Sequence, residues 1–278
     1  MEVISETVLS GFGIMVTSIT SFFTCLLFYC SISHASPVYS RAPVKPPFFV
    51  LAGDSTTAKQ AVSGGGWGDG FINTTLHNGA AGRNLGHNGA TTVSFRSGGD
   101  WDMVLATVQG VRENYQPFVT IQFGHNDQKP AANISVAQYT SNLERFVEEA
   151  INAGATPILV TPLSRRNYDN STGSPRIIRN LKDQREATIA AAGHKGVAYI
   201  DLNEESTRYL DAIGPVDAYK YNLSEFDYTH LNAAGSEVFG GMVALLIQQQ
   251  FPELKDAGFV QVDETLESDV DHGVFYWP

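Results

Sequence analysis

The sequence contains very little cysteine. Only two cysteines occur among 278 residues, Cys25 and Cys30, and both lie in an apolar segment near the N-terminus. The rest of the chain therefore has no cysteine nucleophile, thiolate metal site or iron–sulfur cluster. A secreted domain without disulfides must rely on its hydrophobic core, and about 240 residues are enough to form one.

Basic residues are also scarce. Lys and Arg number 18 against 29 Asp and Glu, which gives a net charge of −11. Nucleic acid is excluded as a partner, because binding it requires a basic surface. The chain also lacks the G-x-S-x-G elbow of standard α/β-hydrolases, an H-E-x-x-H zinc motif and a Walker A loop. We therefore expect neither a metal nor any other cofactor.

The N-terminal segment has the composition of a secretory signal. Residues 9–32 are almost uncharged, and Ser33-His34-Ala35 then places small residues where a signal peptidase reads. We predict a cleaved signal over 1–35, a Pro-rich linker over 36–47 and a single domain over 48–278. Because Glu2 and Glu6 stand where a signal normally carries Lys or Arg, an uncleaved signal anchor is the alternative.

The mature chain is expected to be a secreted, extracellular monomer with no membrane contact after cleavage. Four N-x-S/T sequons fit a glycoprotein of a eukaryote. They lie at Asn73, Asn133, Asn170 and Asn222.

Short apolar runs alternate with longer helical patterns after the linker. The predicted strands are 48–52, 118–123, 156–161 and 197–201, and the predicted helices are about 100–114, 136–153, 178–193 and 232–251. Buried strands separated by helices indicate a parallel sheet covered on both faces. We predict a three-layer α/β/α fold of the flavodoxin-like kind, with about five strands. The Gly- and Asn-rich region 62–99 should hold loops and one weak strand, and 252–278 has no assignment.

Polar residues follow the predicted strands where each one ends. Ser55 follows the first strand, Asn126 follows the second, and Asp227 and His230 precede the last helix. A serine becomes a nucleophile when a base takes its proton and a third group orients that base. Each motif alone is weak, since Gly-Asp-Ser is usually a turn and D-x-x-H is more often a cap or ion pair. Their combination predicts a catalytic triad of Ser55, His230 and Asp227.

The tetrahedral intermediate formed by such a triad needs hydrogen-bond donors for its oxyanion. The side-chain amide of Asn126 is one candidate. Glycine amides in the segment 79–89 are others, because no side chain obstructs their approach.

These motifs together resemble the SGNH (GDSL-type) hydrolase family. The matching blocks are Gly53-Asp54-Ser55, Asn84-Leu85-Gly86-His87-Asn88-Gly89, Gly124-His125-Asn126-Asp127 and Asp227-Tyr228-Thr229-His230. The resemblance implies an oxyanion hole formed by the amides of Ser55 and Gly89 with the side chain of Asn126. Gly82 is a second candidate for the glycine.

Within the family, the segments LAGDST, GWGDGF, FGHND and DYTHLNAAG are most similar to fungal rhamnogalacturonan acetylesterases. This resemblance implies a carbohydrate O-acetylesterase acting on acetylated polysaccharide, with pectin favoured. The cysteines that would form disulfides in those enzymes are missing here. A broad-specificity lipase or aryl esterase is the alternative, and a catalytically inactive carbohydrate-binding homologue is a third possibility. No amphipathic lid segment of the lipase kind is visible.

Three cations lie close to predicted strand ends. Arg165 and Arg166 follow the strand 156–161, and Lys129 follows the GHND block. They are either solvated loop charges or a clamp for galacturonate carboxylates, since guanidinium groups pair planar carboxylates in bidentate fashion. We list all three as candidate substrate-binding residues.

Overall fold

Five parallel strands form the central sheet of the computed structural model, which describes residues 45–62 and 64–278. The strands are β1 (Pro47–Gly53), β2 (Lys59–Ala61), β3 (Gly64–Gly65), β4 (Ala81–Asn84), β5 (Gln116–Gln122), β6 (Thr156–Val160), β7 (Tyr168–Asp169), β8 (Arg176–Ile177), β9 (Ala198–Ile200) and β10 (Leu231–Asn232). The helices are α1 (Gly68–Thr75), α2 (Thr92–Ser97), α3 (Asp100–Val111), α4 (Val136–Ala153), α5 (Lys182–Lys195), α6 (Leu202–Ala218), α7 (Ala233–Gln250), α8 (Pro252–Asp256) and α9 (Glu264–His272).

The central sheet has the order β4-β1-β5-β6-β9, and each neighbouring pair is parallel. Strand β1 has the longest pairing, from Pro47 opposite Gln116 to Gly53 opposite Gln122. The carboxyl ends of all five strands therefore lie at one edge of the sheet.

Side chains of β1 alternate between two hydrophobic cores. Phe49 and Leu51 join the core formed with α1, α6, α7, α8 and α9. Val50 and Ala52 join the core formed with α2, α3, α4 and α5. Successive residues of a strand point to opposite faces, so a fully buried strand needs helices on both sides. The predicted three-layer α/β/α architecture is confirmed. The region 62–99, where one weak strand was expected, contains two: β4 in the central sheet and the two-residue β3 outside it.

That region is more ordered than predicted, because it also contains α1 and α2. The two glycines of α1, Gly68 and Gly70, argue against a helix when the sequence is considered alone. A Cβ atom on Gly70 would lie 1.9 Å from the carbonyl oxygen of Ser236 in α7, so the two helices approach too closely for a side chain there. Glycine lowers helix propensity, yet here it permits the packing that stabilises the helix.

Helix α6 was not predicted at all. It begins after Asp201, whose side chain accepts a hydrogen bond from the backbone N–H of Glu204 and so caps the helix. Near its end, Gly214 has non-helical dihedrals (φ 74°, ψ 170°) and is followed by Pro215. These two residues interrupt the helical pattern near the end of the segment. The tail 252–278 likewise contains α8 and α9, which bury Leu254 and Leu266.

The predicted signal, 1–35, lies outside the described residues, as does most of the predicted linker. The fold begins at Pro47, the last residue of that linker, which opens β1. Within 45–62 and 64–278, no helix is long and apolar enough to cross a membrane. Three sequon asparagines, at positions 73, 133 and 170, are exposed, whereas Asn222 is buried with 7% of its surface accessible.

Candidate active site

Ser55 lies in a tight turn two residues after β1. The carbonyl oxygen of Asp54 accepts hydrogen bonds from the N–H groups of Thr57 and Ala58, at 3.1 and 2.9 Å. The Asp54 carboxylate closes the turn by accepting from the backbone and hydroxyl of Thr56, at 2.9 and 2.8 Å. Ser55 itself retains 6% of its surface accessible. The turn therefore holds the serine hydroxyl in a fixed place at the carboxyl edge of the sheet.

The loop before α7 brings Asp227 and His230 to the same edge. One carboxylate oxygen of Asp227 accepts from the backbone N–H groups of Thr229 and His230, at 3.0 and 2.9 Å. The other oxygen lies 2.8 Å from His230 Nδ1. His230 Nε2 lies 2.8 Å from Ser55 Oγ. The three predicted triad residues thus form one continuous chain of hydrogen bonds.

The protonation state of Asp227 suits the role of orienting His230. Burial tends to raise the pKa of this carboxyl, but the hydrogen bonds from the backbone and ring of His230 and from Thr229 outweigh it, and the pKa lies below the usual 3.8. An ionised carboxylate at Nδ1 keeps the ring proton there and leaves Nε2 free to accept the serine proton. The arrangement can therefore generate a serine nucleophile.

Candidate donors for an oxyanion lie at the same edge of the sheet as Ser55. Asn126 follows β5, and its Nδ2 donates to the carbonyl oxygen of Ala90 at 3.0 Å, which leaves a second amide hydrogen for a ligand. The segment after β4 is carried past the end of β1 by a hydrogen bond from His87 N–H to the Gly53 carbonyl, at 2.9 Å. Gly89 directly precedes Ala90, whose carbonyl accepts the hydrogen bond from Asn126. Gly89 is exposed and has a left-handed conformation (φ 77°) that favours glycine.

Gly82, the second candidate, lies elsewhere. It is inside β4 opposite Phe49, four residues before Gly53 in β1. Its backbone is thus within the sheet, away from the carboxyl edge that carries Ser55. Gly89, in the loop after β4 near the end of β1, is therefore favoured over Gly82 as the oxyanion-hole glycine.

Two of the three predicted substrate-binding cations, Arg165 and Lys129, are accessible to solvent. The half-buried guanidinium of Arg165 donates to Thr229 Oγ1 at 3.2 Å and to the carbonyl of His125 at 3.4 Å. Burial lowers the pKa of Arg165 from its ordinary 12.5, and the charge of Asp54 opposes this. Lys129 donates to the side-chain oxygen of Asn126 at 2.7 Å.

The prediction that Arg166 binds substrate is wrong, because none of its surface is accessible. Its guanidinium lies beneath the triad loop and donates to Asn222 Oδ1, at 2.5 Å, and to the backbone carbonyl of His230, at 2.6 Å. A side chain enclosed by the protein cannot contact a polysaccharide.

Sequence reasoning missed the residues that support the site from behind. Gln122, the last residue of β5, donates to Thr56 Oγ1 at 2.7 Å and accepts from Thr57 Oγ1 and Trp67 Nε1, at 2.9 and 2.5 Å. This network joins the Ser55 turn to the neighbouring strand. A buried glutamine inside an apolar strand was the available signal.

The other supporting contacts come from within the GHND block. Asp127 accepts from the backbone and hydroxyl of Thr92, at 2.9 and 2.6 Å, which ties the block to the segment after Gly89. The ring of His125 is buried 3.7 Å from the carboxylate of Asp54, and burial lowers the pKa of His125. Asp127 thus fixes the GHND block to Thr92, whereas the His125 ring contributes only its contact with Asp54.

Residues 51–238 match the family model described as "GDSL-like Lipase/Acylhydrolase family". The chain is similar to the rhamnogalacturonan acetylesterase RhgT of Bacillus subtilis (strain 168), with 30% identity over 229 residues, or 76% of this chain and 94% of that one. It is also similar to the probable rhamnogalacturonan acetylesterase YesY of the same organism, with 28% identity over 208 residues that cover 72% of this chain and 91% of that one.

Solved structures show the same fold. A Bacillus subtilis protein, YXIM, superposes with a TM-score of 0.65 at 24% identity, over 75% of this chain and 58% of that one. Axe2, an acetylxylan esterase from Geobacillus stearothermophilus, superposes with a TM-score of 0.52 at 17% identity, over 80% and 98%. The predicted family resemblance is confirmed, although these curated relatives are bacterial and the prediction named fungal enzymes.

Proposed function

The chain belongs to the GDSL-like lipase/acylhydrolase family and is a carboxylic ester hydrolase, and from this premise we propose that it removes O-acetyl groups from a plant cell-wall polysaccharide. Rhamnogalacturonan is the favoured substrate. The observation that carries the proposal is a hydrogen-bonded Ser55–His230–Asp227 chain in a protein similar along most of its length to two rhamnogalacturonan acetylesterases. We further propose that the enzyme is secreted and acts as a monomer without a metal or other cofactor.

The reaction begins at Ser55. As its Oγ attacks the carbonyl carbon of the acetyl group, His230 Nε2 accepts the hydroxyl proton, and Asp227 stabilises the imidazolium that results. The carbonyl oxygen becomes an oxyanion that accepts hydrogen bonds from Asn126 Nδ2 and from the amides of Gly89 and Ser55. The intermediate collapses when His230 returns the proton to the departing sugar oxygen. This step leaves an acetyl group on Ser55 and a free sugar hydroxyl.

Water completes the cycle. His230 accepts a proton from a water molecule, which attacks the acetyl carbon through a second tetrahedral intermediate with the same oxyanion donors. Collapse expels Ser55 Oγ, which takes the proton back from His230. The products are acetate and the regenerated serine.

Arg165 is proposed to hold a carboxylate of the pectic chain. Its guanidinium is half-buried and already contacts Thr229, which lies between the two catalytic residues of the loop. Guanidinium groups suit planar carboxylates, and partial burial reduces the screening of such a pair by salt. Galacturonate carboxylates are present in rhamnogalacturonan, whereas a neutral backbone offers no such group.

The reaction class is tested by acetate release. We expect the enzyme to deacetylate rhamnogalacturonan faster than acetylated xylan, and to hydrolyse p-nitrophenyl acetate faster than esters of longer chain. Ser55→Ala should be inactive on all of them. Faster hydrolysis of long acyl chains would instead favour the broad-specificity lipase. Failure to release acetate from any substrate would favour the inactive binding homologue.

The carboxylate contact is tested by Arg165→Ala. We expect KM for acetylated rhamnogalacturonan to rise several-fold, with p-nitrophenyl acetate hydrolysis almost unchanged, and added salt to reproduce part of the effect. Arg145→Ala is the matched control, since Arg145 is an exposed arginine of α4 that pairs with Glu149. Equal effects of Arg165→Ala on the pectic and neutral substrates would rule out the clamp.

A further inference from the structure

Arg166 is bonded to the backbone of the triad loop at three places. Its backbone N–H donates to the carbonyl of Tyr228 at 2.8 Å. Its Nη2 donates to the carbonyl of His230 at 2.6 Å and to that of Asp227 at 3.3 Å. Its Nε donates to Asn222 Oδ1 at 2.5 Å. Arg166, which lies in the segment after β6, therefore donates hydrogen bonds to three of the four backbone carbonyls of residues 227–230.

These contacts come from a charged group that is fully buried. Burial lowers the pKa of Arg166 to about 10, with the charge of Asp227 acting in the opposite direction, so the guanidinium remains charged at neutral pH. Hydrogen bonds from a charged donor are shorter and stronger than neutral ones. The guanidinium can also make several of them in a fixed fork, which an ammonium group cannot.

The loop that Arg166 holds carries both the proposed general base and the residue that orients it. Misplacing a catalytic group by about 1 Å can lower the rate by about 100-fold.

We propose that Arg166 is a positioning residue of the esterase, which fixes the 227–230 loop in its catalytic geometry. This inference rests on the proposed triad. It assigns to Arg166 an effect on the reaction through the loop, without contact to the substrate.

The test compares two substitutions. Arg166→Met removes the charge and the fork, while Arg166→Lys keeps the charge and loses the fork. With p-nitrophenyl acetate we expect Arg166→Met to lower kcat by about tenfold or more with little change in KM. Arg166→Lys should also lower kcat with little change in KM, because the fork is lost.

A destabilised fold is controlled by Leu143→Ala. Leu143 is fully buried in α4, in the core on the opposite side of the sheet, and this substitution lowers stability without reaching the loop. We expect a fall in Tm with an almost unchanged kcat. The proposal is overturned if Arg166→Met keeps the wild-type kcat, or if Leu143→Ala lowers kcat equally. Should Arg166→Met not fold, wild-type kcat in Arg166→Lys would overturn the proposal, and a lowered kcat with an unchanged KM would support it.

Ser55→Ala separates this inference from the proposed function. If Ser55→Ala retains activity, the triad itself is wrong. If Ser55→Ala is inactive and the Arg166 variants behave like the wild type, only the role of Arg166 is wrong.

Discussion

Asp227→Asn is the substitution whose effect is most closely determined by the structure. One carboxylate oxygen accepts from the N–H groups of Thr229 and His230, and the other faces His230 Nδ1 at 2.8 Å. In the variant, the side-chain amide oxygen must occupy the position that accepts from the N–H groups of Thr229 and His230. An NH2 group placed there would face only hydrogen-bond donors. The NH2 group is then directed at His230 Nδ1.

An NH2 group at Nδ1 can only donate, so the ring must place its proton on Nε2. That nitrogen faces Ser55 Oγ at 2.8 Å, and a protonated Nε2 cannot accept the serine proton. In serine proteases the corresponding substitution preserves the geometry and lowers kcat by about 10⁴. We expect a loss of about 10³ to 10⁴ in kcat here, with little change in KM or Tm because the backbone hydrogen bonds are retained.

The assay is steady-state hydrolysis of p-nitrophenyl acetate, with Tm measured in parallel. Asp263→Asn is the matched control, since Asp263 also accepts two backbone N–H groups, at 2.9 and 3.1 Å, as the cap of α9. Its kcat should be unchanged. Retention of more than about a tenth of wild-type kcat in Asp227→Asn would refute the tautomer argument.

The pH dependence follows from the same contacts. Because the pKa of Asp227 lies below 3.8, this carboxylate stabilises the fold above that pH, and the contribution is lost as pH falls through its lowered pKa. Asp227 is thus ionised across the weakly acidic range.

Ser55→Ala should lower kcat by at least about 10³ with an unchanged fold, and a variant that keeps a tenth of its turnover would contradict the assignment. His230→Ala should be as damaging, and wild-type activity should fall on the acid side; a profile flat from about pH 4 to pH 8 would exclude this base. Asn126→Ala should cost about 100-fold in kcat, whereas a rise in KM alone would assign Asn126 to substrate binding. Lys129→Met should lower kcat several-fold by removing the donor to Asn126 Oδ1. A raised KM for the polysaccharide, with kcat unchanged, would instead show that Lys129 binds the substrate. Peptide mapping of the secreted protein should find no glycan on Asn222, which is buried against Arg166, and a glycan there would contradict that contact.

The triad could be predicted because each of its members lies at a chain position with a recognisable local pattern. Ser55 and Asn126 follow strands that are buried on both faces, and the carboxyl ends of parallel strands meet at one edge. Asp227 and His230 are close in sequence, so a single turn brings carboxylate and ring together. Such inferences need only strand positions and short-range geometry.

Helix α1 was missed because its sequence argues against a helix. Gly68 and Gly70 are poor helix formers, and only their close approach to other parts of the chain makes them suitable. In α1 tertiary packing outweighs local propensity, and packing of this kind is determined by residues far away in the chain. In α6 only Gly214 and Pro215, near its end, interrupt the helical pattern.

The different positions of Arg165 and Arg166, the two arginines after β6, also could not be predicted from the sequence. Extended segments direct successive side chains to opposite sides, so adjacent residues reach different surroundings. Arg165 contacts Thr229 near the substrate side, whereas Arg166 is enclosed beneath the loop. The principal acceptors of Arg166 are backbone carbonyls about 60 residues later, and every residue type supplies such a carbonyl. No residue pattern therefore distinguishes a buried positioning arginine from an exposed substrate-binding one, and the distinction depends on which side of the chain the catalytic loop occupies.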